Sequence, residues 1–199
     1  MIDLKDNVVI GIAGRHNVGK STMADHFLRC FIRDGVDNRV FLECGDAIRN
    51  FLGNSINANF DKINKIKTNP VIRDILEVIG PSYERHYGIN LTIAFLNDAF
   101  KQTVKPALFI ISGIRTPAEV SWIKDHKGNL ILIRRPVYDL DGNIQTIDPL
   151  PTEKLLETFG YDIVISNDNT VDVFHHILDY YYNDIIKSSW FESMTSVEP

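Results

Sequence analysis

The sequence predicts an α/β fold, a five-stranded parallel sheet with helices on both faces, and three observations carry that prediction. Five apolar runs recur along the chain with helix-compatible stretches between them. The first of them is apolar throughout, as a central strand buried on both faces must be. That run, Val8-Val9-Ile10-Gly11-Ile12, leads straight into Gly14-Arg15-His16-Asn17-Val18-Gly19-Lys20-Ser21, and a helix-compatible stretch from Thr22 to Ile32 follows. The octapeptide reads G-x-x-x-x-G-K-S in the strand–loop–helix setting that gives this motif its meaning, the phosphate loop of a three-layer NTPase fold.

The residue types follow from the task. Glycines let backbone N–H groups turn inward without a Cβ clash. Those amides and the helix N-terminus behind them attract phosphate oxygens. Lys20 reaches β- and γ-phosphates, and the Ser21 hydroxyl is the ligand for Mg²⁺. The expected nucleotide-binding set is therefore Gly14, Arg15, His16, Asn17, Val18, Gly19, Lys20, Ser21 and Thr22.

Composition sets the outer bounds. A chain of 199 residues suits one α/β domain, and such a chain buries roughly 70% of its unfolded surface. The apolar share of 44% and charged share of 24% are those of a soluble globule. A net charge of −5 argues against a general nucleic-acid surface, which wants a basic face. The two cysteines, Cys30 and Cys44, form no C-x-x-C pair and read as reduced core thiols of a cytoplasmic protein. No apolar run reaches the roughly 18 residues of a membrane span, and Met1 to Asp6 lacks the apolar core of a signal peptide.

In order, Asn7–Ala13 is the first expected strand and Lys20–Asp34 the first helix, burying Met23, Phe27, Cys30 and Phe31 at spacings of three and four. Gly35 ends it. Arg39–Cys44 is a second strand, with Gly45-Asp46 at its ligand-binding end and a short helix from Ala47 to Leu52 carrying Arg49. Gly53–Thr68, polar and asparagine-rich, reads as a mobile connection. Asn69-Pro70 caps a helix to about Ile79, stopped by Gly80-Pro81. Ser82–Gly88 is polar and aromatic around Arg85. Asn90 caps a helix over Leu91–Val104. Ala107–Ser112 is a third strand, ending in Gly113-Ile114-Arg115. Thr116-Pro117-Ala118-Glu119 is a capping box that opens a helix to about His126. Leu130–Ile133 is a fourth strand, closing on Arg134-Arg135. Pro136–Leu150 is loop-like, Thr152–Phe159 a short helix, and Tyr161–Ser166 a fifth strand ending in Asn167-Asp168. The last helix runs from Val171 to about Lys187. We expect one domain over 1–199, with an insertion at about 46–90 and a lid-like loop at about 134–153.

The loop says nucleotide phosphate without saying what the nucleotide is for. A GTPase also wants Asp-x-x-Gly after a strand and Asn-Lys-x-Asp for guanine; Asp125-His126-Lys127-Gly128 sits at a helix end, and Asn64-Lys65-Ile66-Lys67 has lysine where the aspartate belongs. A motor ATPase needs an acid ending an apolar strand, but Ser112 is followed by glycine and Ile133 by Arg134. A small-molecule kinase needs positive charge at the acceptor and around the γ-phosphoryl. Arg49, Arg85, Arg115, Arg134 and Arg135 stand near expected strand ends or in connections, and Arg73 lies early in its helix. Arginine suits that role because its planar fork pairs phosphate bidentately and stays charged.

These residues carry a family resemblance. The loop, Gly45-Asp46 with Arg49, Gly80 with Glu84-Arg85, the segment Ile111-Ser112-Gly113-Ile114-Arg115-Thr116-Pro117-Ala118-Glu119, and Leu132-Ile133-Arg134-Arg135 together resemble phage-type deoxynucleoside monophosphate kinases, relatives of adenylate and thymidylate kinases. Two departures stand out: Gly113 occupies a position where that family often has aspartate, and Pro151-Thr152-Glu153 replaces a His-x-Ser-Glu-like stretch. The resemblance implies phosphoryl transfer from ATP, with Mg²⁺, to a deoxynucleoside monophosphate whose base is ordinary or modified. Lys20, Arg115 and Arg134 would be catalytic, with Arg135 beside ATP in the lid. Arg49, Arg73 and Arg85 would take the acceptor phosphate, and Asp46 would orient the acceptor or hold a metal-bound water, unless it only caps its helix. Asn167 would lie near adenine. The expected partner is that small molecule, with no nucleic acid and no membrane, in the cytoplasm (the host's, for a phage gene); a homodimer is the assembly to test. The alternatives are a phosphate-loop regulatory protein or GTPase, and a kinase for another small phosphorylated or hydroxyl acceptor. His175-His176 is expected on a solvated helix face without metal partners, Tyr180-Tyr181-Tyr182 in core and interface, and Phe95 and Phe100 in the core.

Overall fold

The expected five-stranded parallel sheet with helices on both faces is present in the computed structural model, which describes residues 7–67, 69–136, 154–168 and 170–186. In chain order the elements are β1 Val8–Ala13, α1 Lys20–Arg33, β2 Arg39–Glu43, α2 Cys44–Ser55, α3 Phe60–Ile66, α4 Pro70–Tyr87, α5 Leu91–Gln102, β3 Leu108–Ile114, α6 Pro117–Asp125, β4 Asn129–Arg134, a 3₁₀ turn Leu155–Thr158, β5 Ile163–Ser166, α7 Val171–Tyr180 and a π-helical turn Tyr181–Ile186. The sheet order is β2-β3-β1-β4-β5. β1 pairs in parallel with β3 on one side and β4 on the other, and β4 with β5. From residue 137 the expected lid-like loop lies outside the described residues, as does the tail from 187.

Alternation along the strands explains the layers. Ile10, Ile12, Leu108, Ile110, Ile131 and Ile133 join one buried cluster with Phe27 and Phe31 of α1 and Phe174 and Leu178 of α7. Each such side chain contributes about 1.5–3 kcal/mol when fully buried. On the other face, Gly11 leaves room for α6: a Cβ there would stand 3.0 Å from Ile123 Cγ1 and 3.1 Å from Leu130 Cδ1. Tyr182 ends the first cluster fully buried, its hydroxyl donating to Asp34 Oδ2 at 2.9 Å, while Tyr180 is exposed.

The chain divides into two compact units, one over Met1–Phe41 and Val104–Pro199, the other over Leu42–Thr103. The second unit is helical beyond its first residues, and here the expected boundaries change. α2 begins at Cys44, so Gly45-Asp46 lies inside the helix. The stretch 60–66, expected as mobile connection, is helix α3, capped by the Asn59 side chain accepting from Lys62 N. α4 runs 18 residues, straight through Gly80-Pro81. Proline clashes with the Cβ of the residue before it in helical geometry, and glycine at 80 removes that clash. Asn69 and Asn90 cap α4 and α5 as expected. Phe95 and Phe100 are half-buried rather than core. Cys30 and Cys44 are buried and form no disulfide. Among the described residues, no helix is long and apolar enough to cross a membrane.

Candidate phosphate-binding site

The loop after β1 is shaped by three positive backbone angles, Gly14 φ 146°, Asn17 φ 59° and Gly19 φ 105°. Asparagine is among the few non-glycine residues that adopt the left-handed region readily. At Gly14 the fit is closer than conformation alone: a Cβ would sit 2.6 Å from Ile133 O. Lys20, in the first turn of α1, folds back so that Nζ donates to Gly14 O at 2.9 Å and to Arg15 O. The ammonium is thereby held over the loop that its own helix follows.

The start of α1 differs from every other described α-helix. It has no side-chain cap and no acid in its first turn. Side chains of Asn59, Asn69, Asn90 and Thr116 cap α3, α4, α5 and α6. α2 and α7 lack such a cap but carry Asp46 and Asp172 in their first turns. The first amides of a helix have no intrahelical partner and bear the positive end of its dipole. At α1 the sequence supplies no carboxylate or cap for them, and it adds a lysine. The Ser21 hydroxyl is exposed in that same turn and fits the role of a Mg²⁺ ligand, while His16 and Asn17 form the exposed loop tip and Thr22 is half-buried.

Strand register brings further residues to this edge. Ala13 is level with Ile114 of β3 and Leu132 of β4. Arg115, directly after β3, and Arg134, the last residue of β4, therefore stand at the strand ends on either side of β1. The register shifts by one between Ile12 and Ala13, and Gly113 opposite has φ 82°, a bulge geometry that glycine takes without strain. An aspartate at 113 would meet that backbone at a cost. After it, Glu119 accepts from Arg115 N at 2.6 Å and Thr116 N at 2.9 Å, and Glu119 N donates to Thr116 Oγ1 at 3.3 Å. This is the expected capping box. Burial pushes the Glu119 carboxyl above its usual range, against the pull of those two amides.

Arg134 is exposed and pairs with Glu157 of the 3₁₀ turn. Exposed pairs of this kind contribute about 0–1 kcal/mol, so the guanidinium exchanges partners at little cost. Arg135 is exposed directly after it. Asn167, buried at 5% exposure, donates Nδ2 to Val18 O at 2.7 Å, and its backbone N donates to Arg134 O at 2.7 Å. It ties the ends of β4 and β5 to the loop. Asn167→Ala should lower stability by about 1–3 kcal/mol, the scale for leaving a buried carbonyl unpaired. A thermal midpoint equal to that of the parent would show that the side chain braces nothing.

The second unit holds the other expected site residues. Arg49 is buried, with Nη2 paired to Asp46 and to Glu43 Oε2 at 2.9 Å. Lys67 Nζ stands 3.7 Å from the same Glu43 oxygen. Arg49 Nε is buried without a hydrogen-bond partner. Two carboxylates thus enclose this guanidinium, and Asp46 is committed to it. Arg73 is half-buried and Arg85 exposed on α4, 12 residues and so about 18 Å apart along the axis. Sequence reasoning missed Glu43, Glu157 and the bracing contact of Asn167. Asp46 and Arg49 at i,i+3 were a readable pair; nothing local announces Glu157, 23 residues from Arg134.

No protein-family model matches the chain, and no curated protein matches it. Among solved structures, shikimate kinase from Aquifex aeolicus vf5 aligns with 14% identity, 88% of this chain, 96% of that chain and a TM-score of 0.47. Shikimate kinase from Bacteroides thetaiotaomicron aligns at 9% identity over 90% and 98%, TM-score 0.45. A structure of the PezAT chromosomal toxin–antitoxin system of Streptococcus pneumoniae aligns at 12% identity over 96% and 86%, TM-score 0.38.

Proposed function

We propose that this chain moves the γ-phosphoryl of ATP to the phosphate of a deoxynucleoside 5′-monophosphate, giving the diphosphate. The observation that carries the donor half is the start of α1, which alone among the described α-helices has neither cap nor first-turn acid, behind a loop whose Lys20 already lies over it. The loop amides and Lys20 hold the β- and γ-phosphates, and Mg²⁺ on the Ser21 hydroxyl neutralises their oxygens. Arg115 and Arg134 supply charge to the transferring group, where preorganised donors count most. The acceptor phosphate is itself anionic near neutral pH, so no strong general base is required.

The acceptor half rests on the resemblance of the Ile111–Glu119 segment and of the arginines to the deoxynucleoside monophosphate kinases. Arg85 is the acceptor-phosphate ligand in this reading; Arg73, about 18 Å away along α4, is not placed on the same phosphate, and Arg49, enclosed by Glu43 and Asp46, orders α2. Arg85→Ala should raise the KM for the acceptor several-fold more than that for ATP, and an effect confined to ATP would remove Arg85 from the acceptor pocket.

The experiment is transfer of label from γ-labelled ATP to a panel of monophosphates, with ordinary and modified pyrimidines, alongside small hydroxyl acceptors. Label in a nucleoside diphosphate is the expected result. Label in a phosphate ester of a hydroxyl acceptor would replace the acceptor assignment. ATP binding with transfer to none of them would make the chain a nucleotide-binding regulatory protein.

A further inference from the structure

Helices α1 and α7 carry matching pairs at i,i+4, a spacing that puts both side chains on one helix face. On α1 the pair is His26 and Cys30; on α7 it is His175 and Asp179. The pairs meet. His26 Nε2 lies 3.0 Å from Asp179 Oδ1, and His26 Nδ1 lies 3.0 Å from His175 Nδ1. One ligand atom each from His26, Cys30 and Asp179 fall within 4.8 Å of one another. Cys30 is buried, the His26 side chain is 13% exposed, and that of Asp179 is 45% exposed, so the cluster opens to solvent on the carboxylate side. This changes the expectation of a solvated His175-His176 face in part: His175 is half-buried against His26, while His176 is exposed.

We propose that His26, Cys30 and Asp179 form a binding site for a transition-metal dication, Zn²⁺ foremost. The donor set decides the metal. Thiolate and imidazole favour zinc and its neighbours, whereas Mg²⁺ and Ca²⁺ take oxygen ligands. Ligands at bond lengths of about 2.0–2.3 Å around a tetrahedral Zn²⁺ stand roughly 3.3–3.7 Å apart, which small side-chain rotations reach from the present spacing. His26 ligates through Nε2. Its Nδ1–H then donates to His175 Nδ1, the outer hydrogen bond that fixes a ligating imidazole's tautomer and orientation. As the metal–sulfur bond forms, the Cys30 thiol proton leaves to solvent. The fourth position faces solvent. A metal here joins α7 to the helix that follows the phosphate loop, a role separate from phosphoryl transfer and from Mg²⁺ at Ser21.

The test is titration of the chelator-stripped full chain with Co²⁺, then with Zn²⁺ against a chromophoric competitor. One equivalent of Co²⁺ should bind and give a thiolate-to-metal charge-transfer band, absent in Cys30→Ser and kept in Cys44→Ser. Zn²⁺ affinity should fall about 10–100-fold in His175→Ala, the scale for losing a supporting group, and by at least as much in Asp179→Asn. Asp179 is half-exposed, so that variant keeps the test open if Cys30→Ser fails to fold; circular dichroism checks both. A thousandfold excess of Mg²⁺ should not compete. Absence of the thiolate band in the parent chain, its loss in Cys44→Ser, or unchanged Zn²⁺ affinity in folded Asp179→Asn would overturn the site and leave a hydrogen-bonded cluster that binds no metal.

Discussion

Lys20→Ala is expected to cut phosphoryl transfer by about two orders of magnitude or more, the scale for removing one preorganised charged donor. The structure explains why the effect should fall on turnover rather than on folding. Lys20 Nζ bonds two loop carbonyls, those of Gly14 and Arg15, and both belong to the loop itself. A half-buried side chain of this kind contributes little to the core, so the thermal midpoint should move only slightly. Steady-state kinetics and a melting curve on the same preparation separate the two. Near-parental turnover in a folded variant would remove the loop from the reaction.

Gly14→Ala should act in the opposite way, on the fold first. The backbone there has φ 146°, and a Cβ would stand 2.6 Å from Ile133 O and 2.8 Å from Val18 Cγ2. The first of these is main chain, so relief requires moving the end of β4 away from β1. Backbone strain of about 1–3 kcal/mol adds to overpacking of about 1–3 kcal/mol, and for a chain of this size that corresponds to a fall on the order of 10 °C in the melting midpoint. Gly160→Ala is the control, because nothing lies within 4 Å of the Cβ it would add. A midpoint drop at 160 as large as at 14 would mean that neither reflects the loop.

The sheet and the loop were legible because each rests on short-range signals. Val8–Ala13 is apolar, the glycines and lysine follow at fixed spacing, and Thr116-Pro117-Ala118-Glu119 spells out its capping box within four residues. What the sequence hid was of two kinds. In 42–103 the usual punctuation misled. The asparagines of 53–68 suggest loop, yet Asn59 is the cap of α3. Gly80-Pro81 suggests a stop, yet α4 runs on through it, and a Cβ at Gly80 would press to 3.0 Å from Ile48 Cδ1. The second kind is long-range. Glu157 on Arg134, Asn167 on Val18, and His26 between Asp179 and His175 join residues between 23 and 153 positions apart. Only the fold brings them together. The i,i+4 pairs on α1 and α7 were visible one helix at a time; their meeting was not.

The measurement that bears most directly on the central claim is amide NMR of the uniformly ¹⁵N-labelled chain during titration with ATP and then with adenosine. If the start of α1 and its loop cradle the phosphates, ATP should produce the largest amide shifts at residues 14–22, Lys20→Ala should weaken them, and adenosine should leave those amides in place. Shifts of the same amides by adenosine, or ATP-induced shifts concentrated elsewhere with residues 14–22 unmoved, would contradict it.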